Sequence, residues 1–197
     1  MIKIAVALFV FFACSPFAFA GPLHDAAREG ALEKVRALID DGAVIDAQSE
    51  RGETPLTLAI LAGQGKVVEL LVDKGAAIDG RNAGGFTPLH GAAYAGDAAL
   101  AELLIAKGAD INDAQNKAGV TPLFPAIEEN HKHVAELLIT QGADLGSKER
   151  AGYTALTRAL LKGHEDIVIL LRARGAECQS PDVLGEALHQ ACLDAGK

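Results

Sequence analysis

Four stretches of this chain can be laid over one another: Gly52-Glu-Thr-Pro-Leu-Thr-Leu-Ala, Gly85-Phe-Thr-Pro-Leu-His-Gly-Ala, Gly119-Val-Thr-Pro-Leu-Phe-Pro-Ala and Gly152-Tyr-Thr-Ala-Leu-Thr-Arg-Ala, at spacings of 33, 34 and 33. A second phrase keeps step with them, a Leu followed four residues later by Gly-Ala, beginning at Leu38, Leu71, Leu104, Leu138 and Leu171. Two phrases recurring in phase define a repeated unit, and five copies fill residues 22–178.

Each unit reads as two short helices and a turn. Thr87 can cap a helix whose first position is Pro88, where a missing N–H costs nothing. Leu89, Ala92 and Ala93 give it an apolar face, and Gly96 ends it as a residue tolerant of the left-handed region. Leu100, Leu103 and Leu104 mark a second helix, stopped at Gly108. Neither helix is long enough to stand alone, so every unit must bury its faces against its neighbours. Half of the chain is hydrophobic, but Ala and Gly are abundant and only 5% is aromatic, so the core has to be made by close packing of small residues.

By its period, its T-P-L-H-x-A phrase (Thr87 to Ala92) and its G-A-D-I-N phrase (Gly108 to Asn112), the chain resembles the ankyrin repeat. The resemblance implies an all-α solenoid of stacked helix-turn-helix units with projecting β-hairpin-like loops. It also implies a protein partner held on the concave surface, with no catalytic residues and no cofactor. The expected divisions are an N-terminal capping unit over 21–51, units over 52–84, 85–118, 119–151 and 152–179, and a helical half-unit cap over 180–197. A helper role for an exported enzyme is the alternative to plain binding.

The first twenty residues stand outside this scheme. Lys3, the apolar run Ile4–Ala13 and the small residues at Ala18 and Ala20 are the three parts of a cleaved secretory signal peptide, with Gly21 the expected mature start. Ten apolar residues are too few to cross about 30 Å of hydrocarbon. Lipoprotein processing at Cys14 is an alternative, although Phe11-Phe12-Ala13 fits a small-residue lipobox poorly. Export implies the periplasm in a bacterium, or secretion otherwise. Without Lys3 the chain has 17 basic and 26 acidic residues, a formal charge of −9. Both signs are scattered, which argues against nucleic acid and anionic membrane as partners. The mature protein is expected to be a monomer.

Departures from the repeat carry their own expectations. One extra residue between Gly108 and Gly119 fits best at the loop tip Ala114–Lys117. Pro125 should disturb the first helix of its unit. His24, His90 and His189 take the His position of the phrase, His131 and His164 share another repeat position, and His133 is unassigned. No metal-ligand spacing links them. Gly63-Gln-Gly-Lys66 lacks the leading Gly and the trailing Ser or Thr of a phosphate loop, and reads as a turn. Cys178 and Cys192 remain after the leader is lost. An oxidising compartment favours a bridge between them, but both replace small apolar residues of the repeat, so two buried thiols are the other reading.

Projecting the family pattern places the partner surface on loop tips and first helices. Its expected residues are Arg51, Glu53 and Leu61 in the second unit, with Glu50 beside them, and Phe86 and Tyr94 in the third. Val120 and Glu128 follow in the fourth, with Lys117 and Glu129, then Arg150, Tyr153 and Leu161 in the fifth, with Lys162. Phe86, Val120 and Tyr153 share one repeat position, and Leu61, Tyr94 and Leu161 another, so stacking should align each set at roughly 10 Å intervals.

Overall fold

A computed structural model of the chain describes residues 21–195. The leader expected over residues 1–20, with Cys14, lies outside the described residues. Ten of the helices form five antiparallel pairs: α1 (Pro22–Glu29) with α2 (Leu32–Asp40), α3 (Pro55–Leu61) with α4 (Gly65–Asp73), α5 (Pro88–Ala95) with α6 (Ala98–Ala106), α7 (Leu123–Glu128) with α8 (Lys132–Thr140), and α9 (Ala155–Lys162) with α10 (Glu165–Ala173). The first helices pack in chain order, α1 on α3 on α5 on α7 on α9, and α2–α4, α6–α8 and α8–α10 pack alongside. Among the described residues there is no sheet, only an isolated antiparallel bridge between Lys148 and Thr154.

The phrase residues make the core. Leu56, Leu89, Leu123 and Leu156 are buried, as are Ala59, Ala92, Ala126 and Ala159 one turn on, and Leu71, Leu104, Leu138 and Leu171 of the second helices. Alanines at the crossings let backbones approach, and each buried leucine contributes about 1.5–3 kcal/mol of transfer free energy. Helix starts are capped from within: the Thr54 and Thr154 hydroxyls accept from the N–H of Thr57 and Thr157, and Asp97 Oδ1 accepts from Leu100 N–H at 3.0 Å.

Loops are tied tip to tip. The backbone N–H groups of Ala83, Lys117 and Arg150 donate to the carbonyls of Arg51, Gly84 and Ala118, all at 2.9 Å. Gly52 is required there, with φ +71° and a Cβ that would lie 2.6 Å from Ala83 N. The extra residue of the third unit is not in the turn, since Asn116–Gly119 closes by the same i→i+3 bond as Asn82–Gly85. It is taken up just before, in residues 113–115, where Asp113 is buried beneath Arg81.

Pro125 does disturb its helix. Pro122 sits at the cap position, Phe124 N–H turns back to the Thr121 carbonyl at 3.0 Å, and α7 is left with six residues. Phe124 also replaces the His or Thr that engages the capping hydroxyl in units two, three and five, and Thr121 Oγ1 is buried without a hydrogen-bond partner.

The carboxyl-terminal cap differs in register from the repeat. It is broken at Gly185 into α11 (Pro181–Leu184) and α12 (Glu186–Asp194), so His189 is the fourth helical residue and not the third. Its Nδ1 bonds the Gln179 carbonyl at 2.8 Å instead of the residue at the helix cap. Gln179 does the closing: its Oε1 accepts from Thr154 N–H (3.0 Å) and the Thr157 hydroxyl (2.6 Å), and its Nε2 donates to the Gly152 carbonyl (2.9 Å). Cys178 and Cys192 are joined in a disulfide, their Cα atoms 6.0 Å apart.

Candidate functional site

Where loop tips meet first helices, units two to four, with the loop leading into unit five, frame a groove of about 500 Å³. Phe86, Ala118, Val120, Phe124 and Pro125 line its apolar part, with Gly91 beside them. Leu61 and Tyr94 flank it, Glu128, Glu129 and Glu149 are its acidic lining, and no Lys or Arg lines it. Tyr94 is 54% exposed and Leu61 43%, so two large apolar surfaces stand in solvent beside a hydrophobic depression. Such exposure is characteristic of interaction surfaces.

The repeat geometry sets this arrangement. Leu61, Tyr94, Glu128 and Leu161 are the same position of successive units, seven residues after the capping Thr. Phe86 packs edge-on against His90, ring centroids 5.5 Å apart. His90 is fixed from both sides: Nδ1 accepts from Thr87 N–H at 3.3 Å, so the proton sits on Nε2, which donates to the Val120 carbonyl at 3.0 Å. Burial pushes its pKa below the usual histidine value, against the opposing pull of the Val120 bond, and the ring is neutral. His131 Nε2 similarly reaches back to the Tyr94 carbonyl at 3.0 Å, holding the end of α5 that carries the exposed ring.

Of the residues expected to meet a partner, the groove gathers Leu61, Phe86, Tyr94, Val120 and Glu128, with Glu129. Val120, at 9% exposure, is wall more than contact surface. Tyr153 is not part of this groove. Arg158 lies over its ring, 5.8 Å from the centroid, and is paired with Glu149 and with Glu128, whose Oε1 is 3.0 Å from Arg158 Nε. Leu161 is exposed on α9 outside the groove. Arg51, Glu53 and Arg150 lie in the loops. Glu53 lends its carbonyl to His24 Nε2 at 3.2 Å, and Lys162 pairs with Glu128. Exposed Glu50 and Lys117 are also loop residues away from the groove.

Sequence reasoning missed Gly91, Phe124 and Pro125. Gly91 and Pro125 are departures inside a helix whose signal was a missing side chain or missing N–H, and Phe124 is an apolar replacement for the polar residue of the capping turn. Among the described residues no group of three or more His, Cys, Asp or Glu is placed to hold a metal ion, and no helix is long and apolar enough to cross a membrane.

A family model described as ankyrin repeats (three copies) matches residues 23–115 and again 89–182, most of the described chain. No curated protein matches the chain.

Proposed function

The chain belongs to the ankyrin-repeat family, and on that premise we propose that it is an exported module that binds a protein partner through the face bearing the groove, without chemistry of its own. The family's general work is protein–protein interaction. The observation that carries the reading to a surface is the exposed Tyr94–Leu61 pair beside an apolar depression, on residues that stacking does not bury. Tyrosine is enriched among the few residues that carry most of the binding energy of an interface. Two features support export: the signal-peptide pattern of residues 1–20, and a disulfide between the two remaining cysteines, a bond that persists in oxidising compartments. The protein is read as a monomer.

The test is affinity capture from the exported fraction with the native chain and with a Tyr94→Ser/Leu61→Ser variant. A partner recovered by the first and lost by the second, with Tm altered by no more than about 2 °C, is the expected result. A partner held equally by both would move the interface elsewhere. Amino-terminal sequencing of the exported protein should begin at Gly21.

A further inference from the structure

Units three and four share an oddity at the position four residues after the capping Thr. It holds Gly91 and Pro125, where units two and five carry Leu58 and Arg158. Glycine and proline are the poorest helix residues, and both line the groove. Nothing in the packing demands the glycine. A Cβ there would meet only Ile60 Cγ2 at 3.6 Å and Leu61 Cδ2 at 3.8 Å, both ordinary contacts, and Gly91 is not among the positive-φ glycines. Two adjacent units therefore give up helix propensity where a longer side chain would fill the groove. A local rule broken without a local gain marks space kept for something else.

The lining also has a sign. Its three ionised side chains are carboxylates, and His90 is buried and neutral. Glu128 and Glu129 stand at the carboxyl end of α7, where the helix dipole favours cations, and unit five carries Leu161-Lys162 in their place. Arg158 partly compensates Glu128 and Glu149, and Lys162 adds to Glu128. Among the described residues Glu129 has no ion-pair partner and is exposed. The lining keeps a net negative charge beside an exposed tyrosine ring, which itself attracts cations.

We infer that the groove over Gly91 and Pro125 receives one bulky aliphatic or aromatic side chain from an extended segment of the partner protein, and that a Lys or Arg next to it in that segment meets Glu129. The inference rests on the reading of this face as a protein-binding surface and adds the chemistry of what is bound. The apolar side chain covers Phe86, Phe124 and Pro125, the cation answers the lining charge, and Tyr94 closes over the junction.

Displayed random dodecapeptides selected on the folded chain test it, with the selected peptides then titrated against Gly91→Leu, Gly91→Ala, Glu129→Lys and Tyr94→Ser. The expected peptides carry a large apolar residue within three positions of Lys or Arg. Gly91→Leu, which places a side chain in the groove, should weaken them more than about tenfold, and Glu129→Lys several-fold. Circular dichroism checks that each variant is folded; were Gly91→Leu not folded, Glu129→Lys and Tyr94→Ser carry the decision. Peptides without a cation that are still lost with Gly91→Leu would overturn this inference and leave the groove as the binding face. Peptides indifferent to Gly91→Leu and Tyr94→Ser would overturn both. No enrichment at all would overturn the inference.

Discussion

His90 Nε2 lies 3.0 Å from the carbonyl of Val120, so one imidazole joins the capping turn of the third unit to the loop that opens the fourth. Its other nitrogen already accepts from Thr87, and the ring is almost fully covered. Replacing it with Ala leaves a buried N–H unpaired and opens a cavity, and should cost about 2–3 kcal/mol. The pH dependence has a definite sign. Burial lowers the folded-state pKa, so as pH falls the unfolded chain takes up the proton first. The stability this neutral histidine contributes is complete above the ordinary histidine pKa of about 6.5 and is lost as pH falls from there toward the depressed value. Urea midpoints at pH 7.5 and 5.5 should separate more for the native chain than for His90→Asn. Equal separations would deny His90 this role.

Arg81 and Asp113 form another interlock between units. Arg81 Nη1 donates to Asp113 Oδ1 at 2.8 Å and to the Gly85 carbonyl at 3.1 Å, and Nη2 pairs with the second carboxylate oxygen. Asp113 is 5% exposed, so Arg81→Met strands a covered carboxylate. A loss of about 1–3 kcal/mol is expected, discounted because a third of the Arg81 side chain remains in solvent. The hydrogen bond from Arg81 holds the Asp113 carboxyl below the usual carboxylate range. The pair's stabilisation is therefore present above about pH 4 and disappears as pH falls through the depressed value. In Arg81→Met, NMR titration of the Asp113 carboxyl carbon should give a raised pKa. An unchanged pKa would show that Arg81 is not its partner in solution.

One helix end and one helix interior offer substitutions whose effect on stability has a definite sign. Asn130 has φ +59°, the single non-glycine residue with positive φ among the described residues, at the position held by Gly30, Gly63, Gly96 and Gly163 in the other units. Asn130→Gly should change stability by only a few tenths of a kcal/mol, whereas Asn130→Ala should lose about 1 kcal/mol. Gly91→Ala should add about 0.5–1 kcal/mol by helix propensity, since its methyl meets only ordinary contacts. Thermal melts of the three variants check both statements. A destabilised Gly91→Ala would mean that the glycine serves packing after all.

The repeat was legible because its signals are local and redundant: a capping Thr, Pro at the first helical position, Leu one step on and Gly at the end each name the same boundary four or five times. The groove was not, because it depends on what neighbours lack. Phe86 and Tyr153 share a repeat position, but Phe86 has Gly91 in the helix that follows it and opens onto space, whereas Tyr153 has Arg158 and is covered by it. Val120 has the same position again and is nearly buried. Repeat position fixes where a side chain begins, and neighbouring units decide whether it reaches solvent. His189 shows the same limit at the chain end: its local phrase matches the repeat, but Gly185 starts the helix one residue early and moves the ring onto Gln179.

The cap is where stability should be most divisible. Gln179 fastens its entry to Thr154, Thr157 and Gly152, and the Cys178–Cys192 bond ties α12 to the same place across a separation of 14 residues. A loop of that length corresponds to about 3 kcal/mol in the chain-entropy account of disulfides. Repeat arrays divide stability among nearest neighbours, so losing the bond should be felt locally. In a Cys178→Ser/Cys192→Ala variant, amide exchange should quicken in α11 and α12, and to a smaller degree in α9 and α10. Helices α1 to α6 should keep native protection. The native protein should show the matching mobility shift on reduction in a denaturing gel. Exchange that quickens evenly along the array would mean that the cap unfolds only with the whole chain, and exchange unchanged in α12 would mean that Gln179 and the buried position of residue 192 suffice to hold it.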